Sequence, residues 1–242
     1  MAKPPRAILF DLDDTILSAY AQRGNAWLTV ADRFATDLAP LPAAEAADEI
    51  DNFATSFWAD ADRHRRGRLN TLAARREIVA GAFGMLARRG RPTPAAAVAD
   101  RLADAFSEYR DRQMHLFPDA HRVLDTLRVR GIRLGLVTNG ERAVQRAKIE
   151  RFDLARRFDH VQIEEEHGFG KPEERAYTHA LGALGVAPEA TWMVGDHLEW
   201  DVAAPQRLGI FAIWYDPDGD GLPRGSAIQP DRIIRTLAEL LS

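Results

Sequence analysis

"ILFDLDDTIL" (residues 8–17) sets three carboxylates, Asp11, Asp13 and Asp14, in a four-residue window directly after an apolar run. The run itself, AILF at 7–10, has the pattern of a strand buried on both faces of a parallel sheet. Ligands of an open parallel sheet bind beyond the carboxyl ends of its strands, so the polar residues that end such runs are where chemistry is to be sought. Three further runs match the first: "IRLGLVT" (132–138), "TWMVGD" (191–196) and "IFAIWY" (210–215), with "HVQI" (160–163) a weaker fourth.

Helical periods lie between these runs. "AHRVLDTLRVRG" (120–131) ends on a glycine stop, "ERAVQRAKIERF" (141–152) follows Asn139-Gly140, and "PEERAYTHALGALG" (172–185) sets Pro172 at the first helical position. "IQPDRIIRTLAELLS" (228–242) reads as a closing amphipathic helix. Alternating strands and helices predict an α/β fold, a doubly wound parallel sheet with right-handed crossovers. The alternation is missing between about Ser18 and Leu116. That stretch reads as four helices, broken near "LAPLP" (38–42), "HRRGR" (64–68) and "RRGRPTP" (88–94). The expected organisation is an α/β core of residues 1–17 and 117–242 with an all-helical cap domain, 18–116, inserted after the first strand. Its two crossings, near Ser18 and near Phe117-Pro118, would act as hinges.

Composition narrows the function classes. Of 242 residues, 32 are basic and 36 acidic, giving a formal net charge of −4, so no whole-chain positive field exists to hold a nucleic acid polymer or an anionic membrane. The absence of Cys excludes disulfides, thiolate nucleophiles and thiolate metal sites, and fits a cytoplasmic setting. The opening "MAKPPRAILFDLDD" has no apolar leader, and no run of 18 apolar residues follows.

Collecting the strand-terminal polar residues gives Asp11 and Asp13, Thr138 and Asn139, and Asp196 with Asp201; Lys171 joins them from the "GFGKP" loop. Period-two geometry sets Asp11 and Asp13 on one side and turns Asp14 away. Converging carboxylates push at least one pKa upward unless a cation offsets their charge, and hard oxygen ligands without Cys or paired His select Mg²⁺. A lysine and a hydroxyl beside such a cradle match what phosphoryl transfer needs, and a carboxylate can attack phosphorus to give an acyl phosphate.

"DLDDT", "LVTNG", "GKPEERAY" and "VGDHLEWD", in that order and on those elements, resemble the four motifs of the haloacid dehalogenase superfamily. The resemblance covers nearly the whole chain and implies a Rossmann-like core with a helical cap after the first motif. It implies Asp11 as nucleophile, Asp13 as general acid and base, Thr138 on the phosphoryl group and Lys171 against the charge of Asp11 and phosphate. It also implies Mg²⁺ on the Asp11 side chain, the Asp13 backbone carbonyl and Asp196, with Asp201 behind them. Dehalogenating members lack an acid at the position of Asp13, whereas phosphatase members carry one. "TNGERAVQRAKIE" and "VGDHLEWDVAAPQRLGI" look like the branch containing N-acetylneuraminate 9-phosphatase and pyrimidine nucleotidases.

The expectation is therefore a Mg²⁺-dependent phosphatase, monomeric or homodimeric, acting on a small phosphorylated metabolite. Its rivals are a metal-independent 2-haloacid dehalogenase using the same Asp11 and a non-enzymatic receiver-like phospho-acceptor or binding protein. Asn139 reads either as a turn residue or as a substrate contact. "RHRRGR" (63–68) reads as a solvated turn before an anion contact, "EEEH" (164–167) as a solvated loop, and "DPDGDG" (216–221) as a turn, since Ala227 stands where a calcium loop needs glutamate. Trp27, Phe34, Phe53, Phe57 and Trp58 read as core of the helical insert, and His197 is the one histidine placed near the site.

Overall fold

A computed structural model describes residues 4–19 and 23–242 of the chain. Residues 1–3, part of the opening stretch read for a leader, lie outside the described residues. The chain divides into two compact units, Met1–Ser18 with His115–Ser242, and Ala19–Met114. In chain order the elements begin with strands β1 (Ala7–Phe10) and β2 (Leu17–Ser18). Helices α1 (Arg23–Arg33), α2 (Ala35–Leu38), α3 (Ala43–Ala59), α4 (Ala61–Arg68), α5 (Thr71–Arg88) and α6 (Ala96–Gln113) follow. The rest comprises β3 (His115–Leu116), α7 (Ala120–Val129), β4 (Arg133–Thr138), α8 (Arg142–Arg151), β5 (His160–Ile163), α9 (Glu164–His167) and α10 (Glu174–Leu184). It continues through β6 (Thr191–Gly195), a π-helical stretch Leu198–Ala203, α11 (Ala204–Gln206), β7 (Phe211–Tyr215), β8 (Arg232–Ile234) and a final 3-10 turn, Leu237–Leu241.

The first unit is built on a six-stranded sheet in the order β5-β4-β1-β6-β7-β8, with every pairing parallel. β1 is central and fully buried, which is why its four residues are all apolar. Successive crossovers lead to β4 on one side of it and β6 on the other, so the sheet's topological switch point lies at the end of β1. Ala7 and Leu9 share one hydrophobic cluster with Tyr177, Ala180, Leu181 and Leu184 of α10; Ile8 and Phe10 point to the opposite face by strand alternation. α10 packs on β4 and β5, and α7 packs on β4.

Both crossings out of this unit run through a two-residue antiparallel pair, Leu17 with Leu116 and Ser18 with His115. That pairing ties His115–Leu116 to the sheet-bearing unit. The division thus falls at 18/19 and 114/115, against the expected 17/18 and 116/117.

In the second unit α1, α3, α5 and α6 make a closed ring of packing contacts around Ile50, Phe57, Val79 and Leu102. Trp27 stacks on Phe106 with ring centroids 3.4 Å apart, and Phe34, Phe53 and Trp58 pack at the margin of this core. Two short helices, α2 and α4, accompany the four long ones.

Four local readings of the sequence need correction. The stretch 63–68 is not a turn but part of α4, which Asp60 caps by accepting a hydrogen bond from the Arg63 amide at 2.8 Å. "EEEH" is not a solvated loop but helix α9, with Glu164 buried. The C-terminal segment is no continuous helix: Arg232–Ile234 adds a parallel edge strand to β7, and a capping box of Thr236 and Glu239 starts a short 3-10 turn. Pro172 lies before α10, whose N-cap is Glu173.

Candidate active site

Sheet register assembles the site. Phe10 pairs with Leu136 on β4 and with Val194 on β6, so the residues following each strand emerge side by side. Asp11 follows β1 and fixes its amide on the Val194 carbonyl at 2.9 Å; Thr138 ends β4, and Asp196 follows β6. After Asp11 the chain leaves strand geometry and turns back on itself. The Leu12 carbonyl accepts from the amides of Ile16 and Leu17, and Asp14 adopts φ 57°, a left-handed conformation that short polar Asp tolerates. This turn overrides the period-two reading of Asp14, whose charge is felt by Asp196.

Lys171 is the hub. Its Nζ, with the side chain 1% exposed, donates to Asp11 Oδ1 at 2.6 Å and to Asp201 Oδ1 at 2.7 Å. Burial alone would disfavour the ammonium, but the two carboxylates outweigh it and hold the lysine above its ordinary pKa. Its backbone is clamped by Asn139, which accepts from the Lys171 amide at 2.8 Å and donates to the Lys171 carbonyl at 2.7 Å. Both ends of the Asn139 amide are thus engaged with the lysine main chain. Glu164 braces the same loops by accepting from the Gly140 amide at 2.9 Å.

Asp11, Asp196 and Asp201 each present an oxygen within 4.8 Å of the others. Burial pushes Asp11 up to about 7, with Lys171 opposing and Asp201 and Asp13 adding to the rise. Burial, then Asp11, Asp201 and Asp14, raise Asp196 well above the usual carboxylate range. Fully ionised, the three carboxylates against one lysine would leave two negative charges in excess, which is why the metal-free site holds protons instead. Oxygen donors, burial and that excess fit a hard divalent cation such as Mg²⁺. Thr15, fully buried, has its hydroxyl 3.5 Å from both Asp11 Oδ2 and Asp196 Oδ1.

Asp13 takes a different environment from Asp11. Both its oxygens lie 2.8 Å from Lys148 Nζ, and Gln145 Nε2 donates to Oδ2 at 3.0 Å. The same Gln145 donates to Thr138 Oγ1 at 2.6 Å. Reading the sequence missed Gln145, Lys148 and Thr15. The first two sit three residues apart on α8 within a run of ordinary helical polarity, and the only signal for them was their position on the helix after Thr138-Asn139. His197 caps the π-helical stretch: Nδ1 accepts from the Trp200 amide at 3.2 Å, and its ring stacks on Trp200 at 4.1 Å.

Comparison with known proteins agrees with this geometry. A protein-family model described as haloacid dehalogenase-like hydrolase matches residues 5–209. A ribulose-1,5-bisphosphate 5-phosphatase of Halopiger xanaduensis is 30% identical over 240 residues, 97% of each chain. A phosphoserine phosphatase of Thermus thermophilus is 40% identical over 144 residues, 59% of this chain and 56% of that protein, so the chain spans just over half the length of that relative. The rat N-acylneuraminate-9-phosphatase is 35% identical over 132 residues, 54% of this chain and 52% of that one. Among solved structures, the HAD-hydrolase YfnB of Bacillus subtilis shares the fold at a TM-score of 0.71 with 22% identity, covering 98% of this chain and 97% of its own. A 2-haloacid dehalogenase of Pseudomonas syringae pv. Tomato superposes at 0.61 with 27% identity, covering 100% and 98%. No helix among the described residues is long and apolar enough to cross a membrane. The chain belongs to the haloacid dehalogenase-like hydrolase family.

Proposed function

We propose that the protein is a Mg²⁺-dependent phosphatase that hydrolyses a small phosphorylated metabolite through an aspartyl-phosphate on Asp11, with Ala19–Met114 as its cap domain. The observation that carries this reading is the pairing of two unlike aspartates two residues apart. Asp11 is buried against Lys171 beside two further carboxylates, and Asp13 is held separately on Lys148.

In this reading an Asp11 oxygen forms the bond to phosphorus while Asp13 gives its proton to the departing oxygen. Water then attacks phosphorus, loses a proton to Asp13 and releases Asp11. Lys171 and the Thr138 hydroxyl stabilise charge on the phosphoryl oxygens. Asn139, committed to the Lys171 backbone, serves as a positioning residue for the lysine rather than as a substrate ligand. Mg²⁺, held by Asp11 and Asp196 with the Asp13 carbonyl and with Asp201 in support, would screen the repulsion between carboxylate and phosphate. Relatives named for phosphoserine, ribulose bisphosphate and N-acylneuraminate 9-phosphate support a small phosphomonoester as substrate. A chain without cysteine suits a reducing cytoplasm.

The test is turnover of p-nitrophenyl phosphate with Mg²⁺ and with EDTA, followed by a panel of phosphorylated amino acids, sugars and acids. Metal-dependent turnover that Asp11→Asn abolishes is expected; none in a folded preparation sinks the proposal. A second reading, C–halogen hydrolysis, is favoured by the likeness to a 2-haloacid dehalogenase. Halide release from a 2-haloacid in EDTA would establish it instead.

A further inference from the structure

We propose that Gln145 and Lys148, one turn apart on α8, are positioning residues that fix which atoms of Thr138 and Asp13 meet the phosphoester. The inference rests on the acid–base reading of Asp13. Gln145 is 2% exposed, and its Nε2 faces three oxygens: Thr138 Oγ1 at 2.6 Å, the Asn139 carbonyl at 2.9 Å and Asp13 Oδ2 at 3.0 Å. The carbonyl can only accept and an amide nitrogen can only donate, so the NH₂ turns toward these oxygens, giving one N–H to Thr138 Oγ1 at the shortest distance and dividing the other between the Asn139 carbonyl and Asp13 Oδ2. Among the described residues Oε1 is left buried without a partner, a cost that the contacts on Nε2 must outweigh.

Thr138 Oγ1 therefore accepts from Gln145, and its own proton points elsewhere. In this structure it is donated to the Asn139 carbonyl at 3.4 Å, a weak contact that a phosphoryl oxygen readily replaces. Gln145 thus makes the threonine a donor toward phosphate.

Asp13 is counted the same way. An ionised carboxylate offers about four acceptor positions. Lys148 takes one on each oxygen and the shared N–H of Gln145 lies on the Oδ2 side, so Oδ1 is the less engaged oxygen. Oδ1 is then the atom that passes the proton to the leaving oxygen as the P–O bond breaks and Asp11 bonds to phosphorus. It takes a proton back from the attacking water as the Asp11–phosphorus bond breaks.

The experiment compares Lys148→Met, Lys148→Arg, Gln145→Leu and Asp13→Asn in the full chain with Mg²⁺, on an alkyl phosphate and on p-nitrophenyl phosphate. A poor leaving group needs the proton and nitrophenolate does not. Lys148→Met should lower kcat on the alkyl ester by about tenfold or more, far less on the aryl ester, with KM little changed, and Lys148→Arg should recover most of it. Gln145→Leu should lower kcat on both esters, since Thr138 serves every phosphoryl group, with a smaller added loss on the alkyl ester because Asp13 Oδ2 loses a partner. Circular dichroism and Tm identify a variant that fails to fold, in which case Lys148→Gln carries the same comparison. Wild-type behaviour of Lys148→Met beside a disabled Asp13→Asn overturns the inference alone, as does an equal loss on both esters that arginine does not rescue. Full alkyl phosphatase activity in Asp13→Asn overturns the acid–base reading and the inference with it.

Discussion

At the residue scale, a glycine decides where Asp201 can stand. A Cβ on Gly195, the last residue of β6, would lie 2.2 Å from Asp201 Cγ. No real pair of carbons tolerates that approach, so Gly195→Ala must displace a side chain that is 1% exposed. Its two oxygens hold Lys171 at 2.7 Å and the His197 amide at 3.1 Å. Moving it strips the buried ammonium of one of its two carboxylates. Overpacking of this kind destabilises by about 1–3 kcal/mol, and the loss of a charged partner in a buried network adds to it. Gly195→Ala should therefore lower the urea midpoint and impair turnover more than a surface Gly→Ala such as Gly182→Ala, where a Cβ meets nothing within 4 Å. Equal stability and activity in the two variants would mean that Asp201 does not need its present place.

At the scale of elements, α4 shows how far a sequence can be read and where the reading fails. A glycine among arginines reads as a break because Gly disfavours helix interiors by about 1 kcal/mol. Gly67 is instead buried, its missing Cβ leaving room for Trp58, whose ring a Cβ would approach to 2.8 Å. For Gly67→Ala the propensity gain of about 1 kcal/mol thus opposes an overpacking penalty of about 1–3 kcal/mol. Net destabilisation is expected in denaturant unfolding, and a stabilised variant would contradict the packing. The buried strands were legible because a short, continuous apolar run bounded by polar residues needs cover on both faces, which a central parallel strand receives. Asp11, Thr138 and Asp196 were legible because register carries strand ends to one place. The edge strand Arg232–Ile234 was not, since three residues give no period and Leu237, Leu240 and Leu241 complete a helical pattern around them. Lys148 and Gln145 were hidden because their partner Asp13 lies more than 130 positions away, and an exposed-looking Lys on a polar helix is ordinary until a fold places an acid against it.

For the whole molecule, the site links stability, protons and metal. An acid whose folded pKa is raised holds its proton more tightly folded than unfolded, so its contribution is full below the unfolded value and drains away as pH rises through the folded one. Asp11, raised from 3.8 to about 7, therefore weakens the metal-free protein between about pH 4 and pH 7, and Asp196, raised well above its ordinary value, adds a loss of the same sign. Lys171, raised as well, keeps its stabilising contribution until the pH exceeds its ordinary value near 10.5, so it does not offset that loss near neutrality. A cation that binds the deprotonated carboxylates restores what their repulsion removes, and it competes with protons for the same oxygens. Millimolar Mg²⁺ should consequently raise the Tm of EDTA-treated protein clearly at pH 8 and only weakly at pH 5.5, and Asp11→Asn should blunt the difference. Scanning fluorimetry at the two pH values with and without the ion measures it. Equal Tm shifts at both would show that the ion binds away from Asp11, Asp196 and Asp201, and the metal-dependent reading of this acidic triad would then have to be abandoned.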